Sequence, residues 1–198
     1  MVIDMPALPR PLRSINDATP EAIADDSLTL RAGARADWFR DPAGHVVVHN
    51  APALVMPATG AWMLKARTSA AHEATFDAAV LTVYVDEQTW AKLCLELSPE
   101  DEVMVVSVVT RGESDDCNSV PIEGNEIWLR ISRLGRAFAF HYSCDGATWR
   151  MVRIFTLGEQ AEVEVGFLAQ SPTGVGCVAT FKDIAFVTEL LADVRSGV

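Results

Sequence analysis

From Leu28 onward, apolar side chains recur at every second position. SLTLRA alternates, and GHVVVHN, AWMLKART and FDAAVLTVYVD are β-rich runs bounded by Gly, Pro, Asp or Asn. A period of two sends successive side chains to opposite faces of a strand. TWAKLCLELSP continues the pattern and stops at Pro99, and EVMVVSVVT is almost wholly apolar. An unbroken apolar run of that length predicts a central strand covered on both faces. EIWLRISRLG, RAFAFHYS, WRMVRIFTLG, EVEVGFLAQSP and GVGCVATFKDIAFV follow, with turn signals at the spacing of a sandwich. The expected fold is all-β, two antiparallel sheets packed face to face. Residues 1–26, Pro-rich and then acidic, read as an N-terminal arm on a single domain spanning 27–198. Within the arm, TPEAIADD predicts one helical turn, with Thr19 as cap and Pro20 at its first position. At the other end, TELLADVRSG resembles a short helix.

SCDGATW, residues 143–149, lies between two strand patterns. Asp145-Gly146 is a strong hairpin signal, because Gly reaches positive φ without steric cost. Ser143 and Asp145 are placed to accept backbone N–H bonds, and Trp149 to cover the turn. The motif resembles the S-x-D-x-G-x-x-W box of sialidases but is one residue shorter. It is expected to clamp a hairpin rather than to touch a ligand.

Strand parity nominates a binding face. In WAKLCLEL, Trp90, Lys92, Cys94 and Glu96 share one side, opposite Ala91, Leu93, Leu95 and Leu97. The same parity exposes Trp128, Arg130 and Ser132 opposite Ile127, Leu129 and Ile131. It sets His141 opposite Phe138, Phe140 and Tyr142, and Arg153 opposite Val152 and Ile154. Gln170 ends a strand. Aromatic faces stack on the apolar faces of sugar rings, and polar groups fix their orientation. Trp90, Lys92, Trp128, Arg130, Arg153 and Gln170 are therefore the candidate ligand-binding residues. Glu96 and His141 are the candidate proton carriers, with Arg130 or Lys92 as an electrostatic clamp. Glu96 also suits an ion pair with Arg130 or Arg153. Lys92 and Glu96 stand about 13 Å apart along a straight strand, too far to pair directly.

ADWFRDP, WAKLCLELSP, SVVTRGESDDCNS, WLRISRLGRAFAFHYSCDGATWRMVRIF and VGFLAQSPTGVGCVATF occur in this order between Ala36 and Phe181. Together they resemble the regulation-of-enolase-like family of domains of unknown function, within the concanavalin A-like lectin/glucanase superfamily. The resemblance implies a jelly roll with one sheet curved into a groove, and says little about activity. The glucanases of that superfamily use an E-x-D-x-x-E strand, which does not occur here.

The remaining chemistry narrows the choice. The formal net charge is −11 and the sequence pI about 4.7, with no offsetting basic cluster, which disfavours nucleic acid and anionic membranes. No apolar stretch approaches the ~20 residues of a membrane span, and the N-terminus lacks a secretory h-region. Four scattered cysteines without a C-x-x-C suit a reducing cytoplasm and unpaired thiols. RGESDDCNS reads as a polar loop forming one rim of the groove. Asp115, Asp116 and Asn118 there carry oxygens, without the spacing of an EF-hand. His45 and His49, about 13 Å apart along a strand, read as surface residues. No cofactor and no metal is expected. The leading expectation is a cytoplasmic module holding a carbohydrate or small polar metabolite. A cofactor-independent isomerase, cyclase or hydrolase acting in the same groove is the alternative. A regulatory partner of a metabolic enzyme is the third. The oligomeric state is left open.

Overall fold

The computed structural model describes residues 2–198. Its strands run β1 (Val2–Ile3), β2 (Leu12–Ile15), β3 (Pro20–Ile23), β4 (Leu28–Gly33), β5 (Trp38–Arg40) and β6 (Val47–His49). They continue as β7 (Ala53–Thr59), β8 (Trp62–Ala70), β9 (Ala78–Asp86), β10 (Thr89–Leu97), β11 (Val103–Arg111) and β12 (Glu113–Pro121). The last are β13 (Glu126–Leu134), β14 (Ala137–Ser143), β15 (Arg150–Thr156), β16 (Glu162–Gln170) and β17 (Gly176–Val187). One sheet has the order β1-β2-β7-β16-β9-β10-β11-β12, the other β15-β14-β13-β8-β17-β4-β3, and β5-β6 forms a separate hairpin. Every pairing is antiparallel. The molecule is a two-sheet β-sandwich.

The two inner faces make the core. In β8 burial alternates strictly, with Trp62, Leu64, Ala66, Thr68 and Ala70 inward. β10 and β11 are buried along almost their whole length, on both faces. The reason is residues 36–52, which fold across the outer face of the eight-stranded sheet. Trp38 anchors this segment with no exposed surface, its indole N–H donating to the Ala51 carbonyl at 3.0 Å. Its ring stacks on His49 at 4.4 Å and lies 6.0 Å from Trp90. His49 is therefore half-buried under this cover rather than a surface residue, and His45 is exposed.

Three local expectations are corrected. Residues 113–121 form an edge strand, not a loop, because the backbone of β11 needs a partner on that side and supplies its ladder regardless of side-chain polarity. No helical turn starts at Thr19, since Pro20 opens β3 and pairs with β4. TELLADVRSG forms turns, and no helix occurs among the described residues. Its carbonyls at Val194 and Gly197 are taken by His141 and Arg130.

The SCDGATW turn is built as its residue types suggest. Ser143 Oγ accepts from the Gly146 N–H at 2.9 Å, and Asp145 Oδ1 from the Ala147 and Thr148 N–H groups at 2.8 and 2.7 Å. These donors hold the Asp145 carboxyl well below the usual range. Gly146 has φ +73°, and a Cβ there would lie 2.8 Å from the Trp128 ring. The turn is thus covered by Trp128, whereas Trp149 lies over Arg130 instead.

Candidate functional site

The outer face of β10 carries Trp90, Lys92, Cys94 and Glu96 in alternation, as a pleated strand requires. Ladder register adds neighbours. Ala78 of β9 lies between Glu96 on one side and Gln170 of β16 on the other. A methyl group at position 78 leaves room for the Gln170 amide to reach over it. Four residues back along β10, past the Cys94 rung, Val108 of β11 lies between Lys92 and Asp116 of β12. Loops complete the wall: Asp37 and Phe39 come from the covering segment, Phe76 precedes β9, and Pro172 follows β16. Together they enclose a half-open cavity of about 130 Å³.

Its floor is one hydrogen-bonded array. Lys92 Nζ donates to Asp37 Oδ1 and to Gln170 Oε1, both at 2.9 Å. Gln170 Nε2 donates to Glu96 Oε2 and to the Phe76 carbonyl, both at 3.0 Å. Lys92 and Glu96 are thus bridged by the Gln170 amide. The amide orientation is fixed by its other two partners, because the Lys92 ammonium cannot accept and the Phe76 carbonyl cannot donate. Phe76 is held at φ +70°, the left-handed region that a bulky side chain rarely adopts. Its N–H donates to Leu97 O at 2.7 Å. The adjoining Asp77 is fully buried and accepts from Ser171 Oγ at 2.7 Å and Ala74 N at 2.9 Å. It therefore ties the Phe76 loop to the Pro172 loop.

The electrostatics are unusual for a surface pocket. Burial pushes the Glu96 carboxyl up to about 8 despite the nearby Lys92 charge, with Asp116 and Asp37 adding repulsion. Burial acts to lower the Lys92 ammonium, but Asp37, Cys94 and Glu96 together outweigh it and hold the pKa above its ordinary value. Asp116 is raised by the surrounding protein, although its residue surface opens to solvent at the mouth. At neutral pH, Glu96 is therefore largely a neutral acid that both donates and accepts hydrogen bonds. One lysine faces three carboxyl groups, and two of its three N–H bonds are already spent.

The structure brings Lys92, Glu96 and Gln170 to this cavity, and keeps other candidates away from it. Trp90 is wholly buried beneath the covering segment, with Lys92 Nζ 5.5 Å from its ring centre. Arg153 lies outside the cavity but pairs with Asp115 at 2.6 Å, beside Asp116 on the edge strand. Trp128, Arg130 and His141 do not join the groove, because β13 and β14 belong to the other sheet. Their shared side is that sheet's outer face, where residues 193–198 cover Arg130 and His141. Parity along a strand assigns faces but cannot tell which sheet a strand joins. Asp37, Phe39, Phe76 and Pro172 sit on loops, where no periodicity marks them. Asp116 was visible only as a polar oxygen in SDDCNS. Among the described residues, no group of three or more His, Cys, Asp or Glu side chains is arranged to hold a metal ion.

The same fold recurs among known proteins. A functionally unknown protein from Saccharomyces cerevisiae superposes with a TM-score of 0.82 at 24% identity, over 91% of this chain and 97% of that one. The GH43 BlXynB protein from Bacillus licheniformis gives 0.65 at 16% identity, over 82% of this chain and 33% of that one. The carbohydrate binding module CBM66 from Bacillus subtilis gives 0.56 at 9%, over 88% and 94%. In sequence, the chain is 26% identical over 165 residues to Regulation of enolase protein 1 of Saccharomyces cerevisiae, covering 82% of each. Residues 16–188 match the family described as Protein of unknown function (DUF1349), and the chain belongs to that family.

Proposed function

We propose that this protein binds a neutral, hydroxyl-rich small molecule of the carbohydrate class in the Lys92–Gln170–Glu96 cavity. The observation that carries the reading is the buried array of one ammonium, one amide and one neutral carboxyl facing a half-open cavity rimmed by Phe39 and Phe76. Adjacent hydroxyls need donors and acceptors at close spacing, and this array offers both. Asp37 and Asp116, set against the single Lys92 charge, disfavour an anionic ligand. The volume suits a single ring rather than a polymer. The fold similarity to a carbohydrate binding module points the same way. The protein is taken to work in the cytoplasm, with its thiols reduced.

Calorimetric or NMR titration against a panel of monosaccharides and polyols tests this. One panel member is expected to bind the wild type, and Lys92→Met to weaken it at least tenfold. A panel without any saturable binder would reject the proposal. If Glu96 acts as an acid or base, Glu96→Gln should keep binding but lose about 10²–10⁴ in turnover. A pure binding module loses only modest affinity.

The yeast relative's name favours a second reading, regulation of an enolase through a protein contact. Adding the purified protein to a purified enolase tests it: a saturable change in enolase turnover supports regulation, and none argues against it.

A further inference from the structure

Arg130 is a buried arginine without a counter-ion. Its residue is 6% exposed, and no carboxylate among the described residues pairs with it. Its guanidinium carbon lies 4.1 Å from the Trp149 ring centre, and Nη2 donates to the Gly197 carbonyl at 2.7 Å. Nε has no partner. Buried arginines are rarely left unpaired, because removing the charge from water is costly.

Nε and Nη2 lie on one edge of the guanidinium and form a fork that fits two carboxylate oxygens. This molecule uses that same edge twice elsewhere, in Arg13 with Glu164 and in Arg31 with Glu21. At Arg130 the edge meets a single neutral carbonyl, so half the fork is idle. Beside it, His141 has no exposed surface and contacts the Val194 carbonyl at 2.7 Å through Nε2. A carbonyl only accepts, so Nε2 carries the proton. Burial pushes the imidazole down to about 4, and it is neutral at pH 7. Both contacts come from the turn 193–198, which is closed on itself by Asp193 through Gly197 N and Val198 N. Gly197 has φ +74° and fits against Trp149, where a Cβ would lie 2.7 Å from the Trp149 Cβ. Arg130, His141 and Trp149 lie inside the residues that match the family, and the turn that covers them lies outside.

We propose that Arg130, His141 and Trp149 form a carboxylate-binding site, separate from the Lys92–Glu96 cavity, and that residues 193–198 occupy it as an internal competitor. A carboxylate in place of the Gly197 carbonyl takes both Nε and Nη2 and neutralises the guanidinium. His141 Nε2 supplies a third donor. Displacing the turn is the energetic cost, so the free carboxylate binds weakly in the wild type.

The test uses the full chain, with succinate as a free acid, an aspartate-containing tetrapeptide as a side-chain acid, and succinamide as the neutral control. Gly197→Val pushes the turn off its seat, because a Cβ at 197 would crowd Trp149, Arg130 and His141, and it leaves the three platform residues themselves unsubstituted. NMR of the 193–198 amides reports release, and titration reports affinity. Gly197→Val is expected to bind succinate or the peptide at least tenfold more tightly than the wild type. Adding Arg130→Met should abolish the gain, and succinamide should not bind. The tighter of the two acids identifies the source of the carboxylate. A released turn with no gain in carboxylate affinity overturns the proposal, as does a gain that survives Arg130→Met. Should Gly197→Val not fold, the wild type decides: succinate at high concentration must shift the 193–198 amides saturably where succinamide does not, and failure to do so rejects the site.

Discussion

Glu96→Gln tests the electrostatic account of the cavity. Burial holds the Glu96 carboxyl at about 8 in the folded protein, against an ordinary 4.5. Between those values the native state keeps a proton that the unfolded chain has released. Stability then falls as pH rises, because the native state binds more protons than the unfolded one. The contribution is neutral below the unfolded value, declines through the window from about 4.5 to 8, and is flat above it. Each pH unit inside the window costs about 1.4 kcal/mol, so the full loss approaches roughly 4–5 kcal/mol by pH 8. Water entering the open side of the cavity and movement of Lys92 reduce this, and about 2–4 kcal/mol is the expected measured loss. Gln at position 96 keeps an oxygen for the Gln170 N–H but cannot ionise. It should match or fall slightly below the wild type at pH 5, and exceed it by about 2–4 kcal/mol at pH 8.5. Urea unfolding of both proteins at half-unit steps from pH 5 to 9 gives the difference curve. Parallel curves across that range, with no crossover, would refute the claim that Glu96 is kept protonated by burial.

Two further outcomes follow from the same geometry. Gly146→Val and Trp128→Ala should each cost about 1–3 kcal/mol in chemical unfolding, since they spoil the turn and its cover. Neither should change ligand affinity at the Lys92–Glu96 cavity by more than twofold, because that cavity lies on the opposite sheet. Cys117 and Cys144 are exposed and Cys94 and Cys177 buried, with burial pushing Cys94 well up and Cys177 to about 12. A thiol reagent should therefore label two of the four cysteines in the native protein and all four in urea; four native labels would show that the buried pair is accessible.

The alternation of apolar and polar residues determined the architecture. Each strand must bury one face, and the period of two is carried by the residues themselves. The unbroken run in Val103–Arg111 likewise announced a strand covered twice. The SCDGATW turn was legible because its bonds are local, Ser143 and Asp145 reaching N–H groups two or three residues away. Strand parity also set Lys92 and Glu96 on one face, since that is fixed within a single strand. Tertiary structure alone decided which strands share a sheet. Trp128 and Arg130 have the same parity signal as Lys92 and Glu96, yet β13 lies in the other layer. It also decided that residues 113–121 would be an edge strand, because the demand came from the backbone of β11 rather than from their own side chains. The cavity walls at Asp37, Phe39, Phe76 and Pro172 come from loops far apart in the chain. Their meeting depends on buried contacts such as Trp38 on His49 and Asp77 with Ser171, which no local pattern encodes. The cover over Arg130 is of the same kind: an irregular tail finds its place through two carbonyls and one glycine, and only the packed sheet shows where they land.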